Sequence, residues 1–213
     1  LPKREVCNGT DDNCNGLVDD GLYRDEPVDL VFVLDVSGSM DSKINDLAYA
    51  VSRFVKNYDN RPDIRWAVVV APGGSSDVDG LVGLAQNLGN TTDFVNAMYS
   101  QTSWGNGKEP TIDAINFLCD SANPLGMDWK ASKRYIVMLS DEVPQSYTVP
   151  GKGILETVAM CESAGIPVLA FTDPYPDNGW SMLTSMPGGQ VWPIDSTTIG
   201  LNLQPTIKSL ICY

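Results

Sequence analysis

The stretch VDLVFVLDVSGSM, running from Val28 to Met40, decides the fold. Its first part is apolar but for Asp29 and ends in Asp35, the pattern of a strand buried on both faces of a parallel sheet. Directly after that strand, Asp35, Ser37 and Ser39 offer oxygen-bearing side chains at alternate positions, and Gly38 lets the backbone fold so that they converge. A hard divalent cation takes such ligands, magnesium above all, with its compact octahedral shell and retained waters. The bland alternative is an acid at a strand end followed by serines that cap the next helix. That helix is expected over Asn45 to Tyr58, where Leu47, Ala50, Val51, Phe54, Val55 and Tyr58 recur three and four apart.

The same grammar extends to the carboxyl end. Strands are expected at Ile64 to Ala71, Tyr135 to Ser140, Pro167 to Phe171 and Gly189 to Ile194, with a short edge strand at Leu81 to Leu84. Helices are expected at Thr92 to Ser100, Thr111 to Cys119, Ile154 to Ser163, Trp180 to Met186 and Ile199 to Ile211, the last opened or interrupted by Pro205. Strands alternating with helices predict an α/β protein with an open, doubly wound, mostly parallel sheet. Tyr135 to Ser140 is followed by Asp141, a second carboxylate at the carboxyl end of a strand, and open α/β sheets bind ligands outside those ends. Before Pro27 the composition changes: residues 1–26 are poor in apolar residues and dense in Asp, Asn and Gly, so we divide the chain into a small segment 1–26 and a main domain 27–213. Leu1 in place of Met suggests a processed product or a piece of a longer protein.

The composition narrows the chemistry. The 213 residues carry 14 Lys+Arg against 27 Asp+Glu, a net charge of -13, which makes nucleic acid a poor partner. With no histidine, Ser-His-Asp and Cys-His nucleophilic catalysis and imidazole ligation of zinc are excluded. Metal-assisted hydrolysis lacks a convincing general base, so the chain does not read as an enzyme. No apolar run is long enough to span a membrane. Of the five cysteines, Cys7 and Cys14 lie in the polar amino-terminal segment, where a short disulfide-closed loop is expected, implying an oxidising, extracytoplasmic setting. Cys119 to Cys161 is the first expectation for a second bridge, and the partner of Cys212 stays open.

On these residues the main domain resembles a von Willebrand factor type A domain, and Asp35, Ser37 and Ser39 match that family's metal-ion-dependent adhesion site, Asp-x-Ser-x-Ser. The resemblance spans roughly residues 28–210. It implies a sheet order of 3-2-1-4-5-6 and further ligands from Asp141 and from either Glu109 or Thr111, both of which precede the helix at Asp113. It also implies Mg2+ (or Mn2+) at the top of the sheet, coordinating an acidic side chain of a protein partner. Adhesion is thus expected rather than turnover. The alternative is a structural domain of a larger surface assembly whose metals mainly stabilise the fold. Trp104 and Tyr147, in nearby loops, are the expected partner contacts.

The amino-terminal segment carries a second oxygen-rich pattern. With Asp11 as position 1 of a calcium loop, Asn13 and Asn15 are positions 3 and 5, Gly16 is position 6, the Leu17 carbonyl is position 7 and Asp19 is position 9. Position 12 is Leu22, where such a loop needs a bidentate Glu, so closure falls to Asp20, Asp12, Glu5 or an outside carboxylate. Residues 5–20 also resemble the Cys-x-Gly-x-Asp-x-Asx-Cys-Asx-Gly metal-binding repeats of bacterial surface and secreted proteins. That resemblance implies Ca2+ in a structural role and an extracellular, cell-surface or secreted protein of bacterial origin. Copper is disfavoured by the absence of histidine.

Overall fold

A computed structural model describes residues 4–6, 10–16, 21, 27–59, 61, 63–72, 81–103, 109–148, 153–173 and 179–211. The strand read from Val28 to Asp35 forms as β1 and is buried at every position. Its alternation splits the core in two. Leu30, Phe32 and Leu34 enter one cluster, while Val31 and Val33 enter the other.

The remaining strands are β2 (Ile64–Ala71), β3 (Gly83–Gly89), β4 (Lys133–Leu139), β5 (Val168–Thr172) and β6 (Gln190–Pro193). They form one six-stranded sheet in the order β3-β2-β1-β4-β5-β6, as expected. β1 pairs in parallel with both β2 and β4, β4 with β5 and β5 with β6, whereas β3 runs antiparallel to β2 with irregular register. The helices are α1 (Ile44–Val55), α2 (Thr91–Tyr99), α3 (Thr111–Cys119), α4 (Ile154–Ala164), α5 (Trp180–Leu183) and α6 (Ser196–Ile211). Side chains of α1, α2 and α6 pack on the face that includes Phe32, and those of α3, α4 and α5 pack on the opposite face. On the first face Trp66 is enclosed by the rings of Phe32, Phe54, Tyr58 and Phe94, at centroid distances of 5.8 to 6.3 Å.

The structure sharpens the sequence reading at three places in particular. The edge strand expected at Leu81 to Leu84 lies instead at Gly83–Gly89, because an edge strand tolerates the polar Gln86 and Asn87 that end an apolar run. The helix expected to reach Met186 stops at Leu183, where it gives way to the turn leading into β6. α6 runs through Pro205, which lies on the exposed side of the helix, so the missing hydrogen bond is lost toward water rather than in the core. The expected bridge between Cys119 and Cys161 is formed, with a Cα–Cα distance of 5.0 Å, and it ties the end of α3 to α4.

Candidate metal centre

β1 and β4 are neighbours in register, Leu34 opposite Leu139, so the residues that follow them emerge side by side. Asp35 and Ser140 are fully buried there, and Ser37 is 1% exposed. The hydroxyl of Ser140 donates to Asp35 Oδ2 at 2.6 Å, and the Ser37 amide donates to Asp35 Oδ1 at 2.9 Å. A short 3-10 turn at Gly38–Met40 brings Ser39 Oγ within 3.0 Å of Ser37 Oγ. From there Ser39 donates to Asp141 Oδ1 at 2.9 Å, closing a chain of hydrogen bonds from one strand end to the other. Four of the expected ligands, Asp35, Ser37, Ser39 and Asp141, are thereby brought together.

Glu109 lies within electrostatic reach of Asp35 and Asp141, and Thr111 shares its partner Gln145. The hydroxyl of Thr111, the first residue of α3, accepts from the Gln145 amide at 3.1 Å, while Glu109 Oε2 accepts from Gln145 Nε2 at 2.8 Å. The Glu109 carboxyl is held above its ordinary range by burial and then by the charges of Asp35, Glu142 and Asp141, against the hydrogen bond from Gln145. Both side chains are therefore placed by one residue of the loop after β4, and Glu109 senses the same carboxylates that the expected site contains.

That loop is anchored from beneath. Asp113 of α3 is fully buried and accepts from Ser146 Oγ at 2.8 Å, the Tyr147 amide at 2.6 Å and Thr148 Oγ1 at 2.9 Å. Tyr147 donates its hydroxyl to Gln145 and packs its ring against the core on the α3 side. Its visible role is to hold the loop. Trp104 lies outside the described residues.

The electrostatics explain why such a cleft suits a cation. Burial pushes the Asp35 carboxyl above its ordinary range, opposed by the hydrogen bonds from Ser140 and Ser37 and reinforced by the charge of Asp141. Burial likewise raises Glu142, with Asp141, Asp35 and Asp173 adding to it and Lys43 opposing. Lys43, which immediately precedes α1, donates to Asp141 Oδ2 at 2.6 Å. Among the described residues no three His, Cys, Asp or Glu side chains group as a metal cluster. The donor set at the strand ends is of another kind: two carboxylates, Asp35 and Asp141, with the hydroxyls of Ser37 and Ser39 between them. Each carboxylate oxygen has lone pairs beyond those its hydrogen bonds use, and hard oxygens of this type fit magnesium.

Four residues of this cleft were not read from the sequence. Ser140 stands directly before Asp141, and Asp173 directly follows β5, repeating the strand-then-acid pattern of Asp35 and Asp141. Lys43 had a signal as well, a cation beside an acidic loop. Gln145 had none, because its role depends on where Asp113 pins its loop.

In the amino-terminal segment Asp11 accepts from the amides of Asn15 at 3.2 Å and Gly16 at 2.7 Å, and Gly16 has the positive φ of 90° that a sharp loop turn requires. Asn13 Oδ1 accepts from the Asn15 amide at 3.0 Å. Glu5 accepts from the Asn13 amide through Oε1 at 2.7 Å, whereas its buried Oε2 has no hydrogen-bond partner among the described residues. Leu17, Asp19, Asp20 and Cys7 lie outside the described residues. Cys14 is exposed and has a free thiol among the described residues, and the expected Cys7 to Cys14 bridge falls on Cys7, outside them; hydrogen bonds from backbone amides to Asp11, Asn13 and Glu5 shape the turn.

Comparison with known proteins agrees with this architecture. No curated protein sequence matches the chain. Among solved structures, proximal thread matrix protein 1 from the mussel byssus, in its second crystal form, superposes with a TM-score of 0.62 at 15% identity, over 87% of this chain and 46% of that one. This chain thus spans about half of the mussel chain, and at that identity the likeness is one of fold. The sequence profile of the von Willebrand factor type A domain matches residues 29–196, from within β1 to the start of α6, and the chain belongs to that family.

Proposed function

We propose that this chain is an extracellular protein-binding module in which Asp35, Ser37, Ser39 and Asp141, completed by Thr111 or Glu109, hold Mg2+ or Mn2+ for contact with an acidic side chain of a protein partner. A type A domain is a non-catalytic, adhesion-type fold, and that coarse role needs no turnover chemistry. The observation that carries the finer reading is the hydrogen-bonded path from buried Asp35 to the amide of Ser37, and from the Ser37 hydroxyl through Ser39 to Asp141. When bound, the cation supplies positive charge and an open coordination position for a carboxylate. The chain's own residues do the rest. Ser140 aims Asp35, Gln145 positions Thr111 and Glu109, and Asp113 fixes the loop that carries Gln145. Trp104 and Tyr147 are the proposed partner contacts.

The test is divalent-induced thermal stabilisation of the whole chain. Mg2+ or Mn2+ is expected to raise the melting temperature of the wild type and not that of Asp35→Ala, which otherwise folds normally. Equal stabilisation of both proteins by these ions rejects the reading.

For the amino-terminal segment the reading is a structural Ca2+ loop of Asp11, Asn13, Asn15, the Leu17 carbonyl, Asp19 and Asp20, with Glu5 as its closing carboxylate. The buried Glu5 Oε2, unpartnered among the described residues, supports this, since a buried carboxylate oxygen is costly without a hydrogen bond or a cation. The bridge between Cys119 and Cys161 supports an oxidising, secreted or cell-surface setting. The bacterial source rests only on the resemblance of residues 5–20.

A structural role in a larger assembly is the second reading. It is favoured by the Lys43 to Asp141 ion pair, which ties the strand ends together with the chain's own charges.

A further inference from the structure

Lys43 reaches two carboxylates at the carboxyl ends of adjacent strands. Its ammonium lies 2.6 Å from Asp141 Oδ2, which follows β4, and 3.7 Å from Asp173 Oδ2, which follows β5. The Asp141 side chain is 7% exposed and that of Asp173 40%, so the shorter contact is also the drier one. Asp141 is shared between two donors, Ser39 at Oδ1 and Lys43 at Oδ2. One carboxylate that a bound cation would use is therefore already neutralised by a cation of the chain itself. An ammonium and a divalent ion on one carboxylate repel each other strongly in a cleft screened from water. Asp173 offers the ammonium a second, better hydrated partner.

We propose that Lys43 is an internal counter-ion, displaced from Asp141 when a divalent cation loads and received by Asp173, so that these two residues set the affinity of the site for its metal. The proposal rests on the metal reading above and deepens it. In the unloaded protein Lys43 keeps Asp141 from facing Asp35 and Glu142 as a bare charge. In the loaded protein it stays close by as a competitor, which makes the site exchangeable and responsive to the surrounding divalent concentration.

The experiment titrates the whole chain with Mn2+ by electron paramagnetic resonance, taking as the site the binding that Asp35→Ala loses, and records melting temperatures in chelator. Lys43→Met is expected to bind Mn2+ at least about fivefold more tightly than wild type, and Lys43→Arg to stay within about twofold. Asp173→Asn is expected to weaken binding severalfold in the wild-type background and to change it far less in the Lys43→Met background, since no ammonium then needs receiving. In chelator Lys43→Met is expected to melt about 4 °C or more below wild type, with Lys43→Arg restoring most of the loss. Unchanged or weaker Mn2+ binding by Lys43→Met, or an equal effect of Asp173→Asn in both backgrounds, overturns the proposal. Equal melting of Lys43→Met and wild type in chelator overturns it too. Absence of any Asp35-dependent Mn2+ binding in the wild type rejects the metal reading itself, whereas Asp35-dependent binding that ignores Lys43 rejects the counter-ion alone.

Discussion

Asp35 is fully buried, and its charge is held by the Ser140 hydroxyl and by Ser37. Removing the hydroxyl leaves a buried carboxylate oxygen short of a partner, so Ser140→Ala is expected to cost about 1–3 kcal/mol at neutral pH, read by chemical denaturation in chelator. The direction of the acid shifts gives a second expectation. Asp35, Glu109 and Glu142 all have carboxyls raised in the folded state, chiefly by burial, so the fold takes up protons more readily than the unfolded chain. Their contribution to stability is fully present below the ordinary carboxylate values and is lost as pH rises through the raised ones. In chelator, melting temperature is therefore expected to increase on going from about pH 7.5 to about pH 5.5, and saturating Mg2+ is expected to flatten that slope. The lowered carboxyl of Asp63, which burial raises but Arg61 outweighs, works the other way only below the ordinary aspartate value, outside this window. A flat profile in chelator would show that the three site carboxylates do not carry the linkage.

At the scale of elements, β1 and the loop after it were legible because their signals are local: an apolar run, an acid at its end and serines at alternate positions. β3 was not, because an edge strand need not be apolar, and Gln86 and Asn87 hid its second half. Gln145 and Asp113 were invisible for a different reason, since their value comes from contacts between a loop and a helix 33 to 35 residues apart in the chain that no periodicity encodes. The disulfide couples α3, which begins with Thr111, to α4. Closing its 42-residue separation restricts the unfolded chain, and breaking it in a Cys119→Ser, Cys161→Ser double variant is expected to cost about 4 kcal/mol by the loop-entropy relation. Denaturant unfolding reads this directly, and a loss below about 1 kcal/mol would mean that native packing of α3 on α4 does not need the bridge.

Over the whole molecule, part of the acid excess behind the net charge of -13 lies at strand ends, in Asp35, Asp141 and Asp173, and part in the amino-terminal segment. The division into residues 1–26 and a main domain came from composition, and it separates two sites with different expected ions. Glu5→Gln is expected to weaken Ca2+-dependent protection of residues 4–16 from amide exchange at least about tenfold while leaving Mg2+ stabilisation of the main domain intact. Loss of both responses together would tie the two sites into one.

The central claim is that the ends of β1 and β4 form a cation site. Anomalous diffraction from crystals grown with Mn2+ tests it most directly. The account predicts a Mn2+ peak coordinated by the hydroxyls of Ser37 and Ser39 between Asp35 and Asp141, with the Lys43 ammonium moved toward Asp173. A well-ordered cleft without that peak at saturating Mn2+, Lys43 still seated on Asp141, would contradict it.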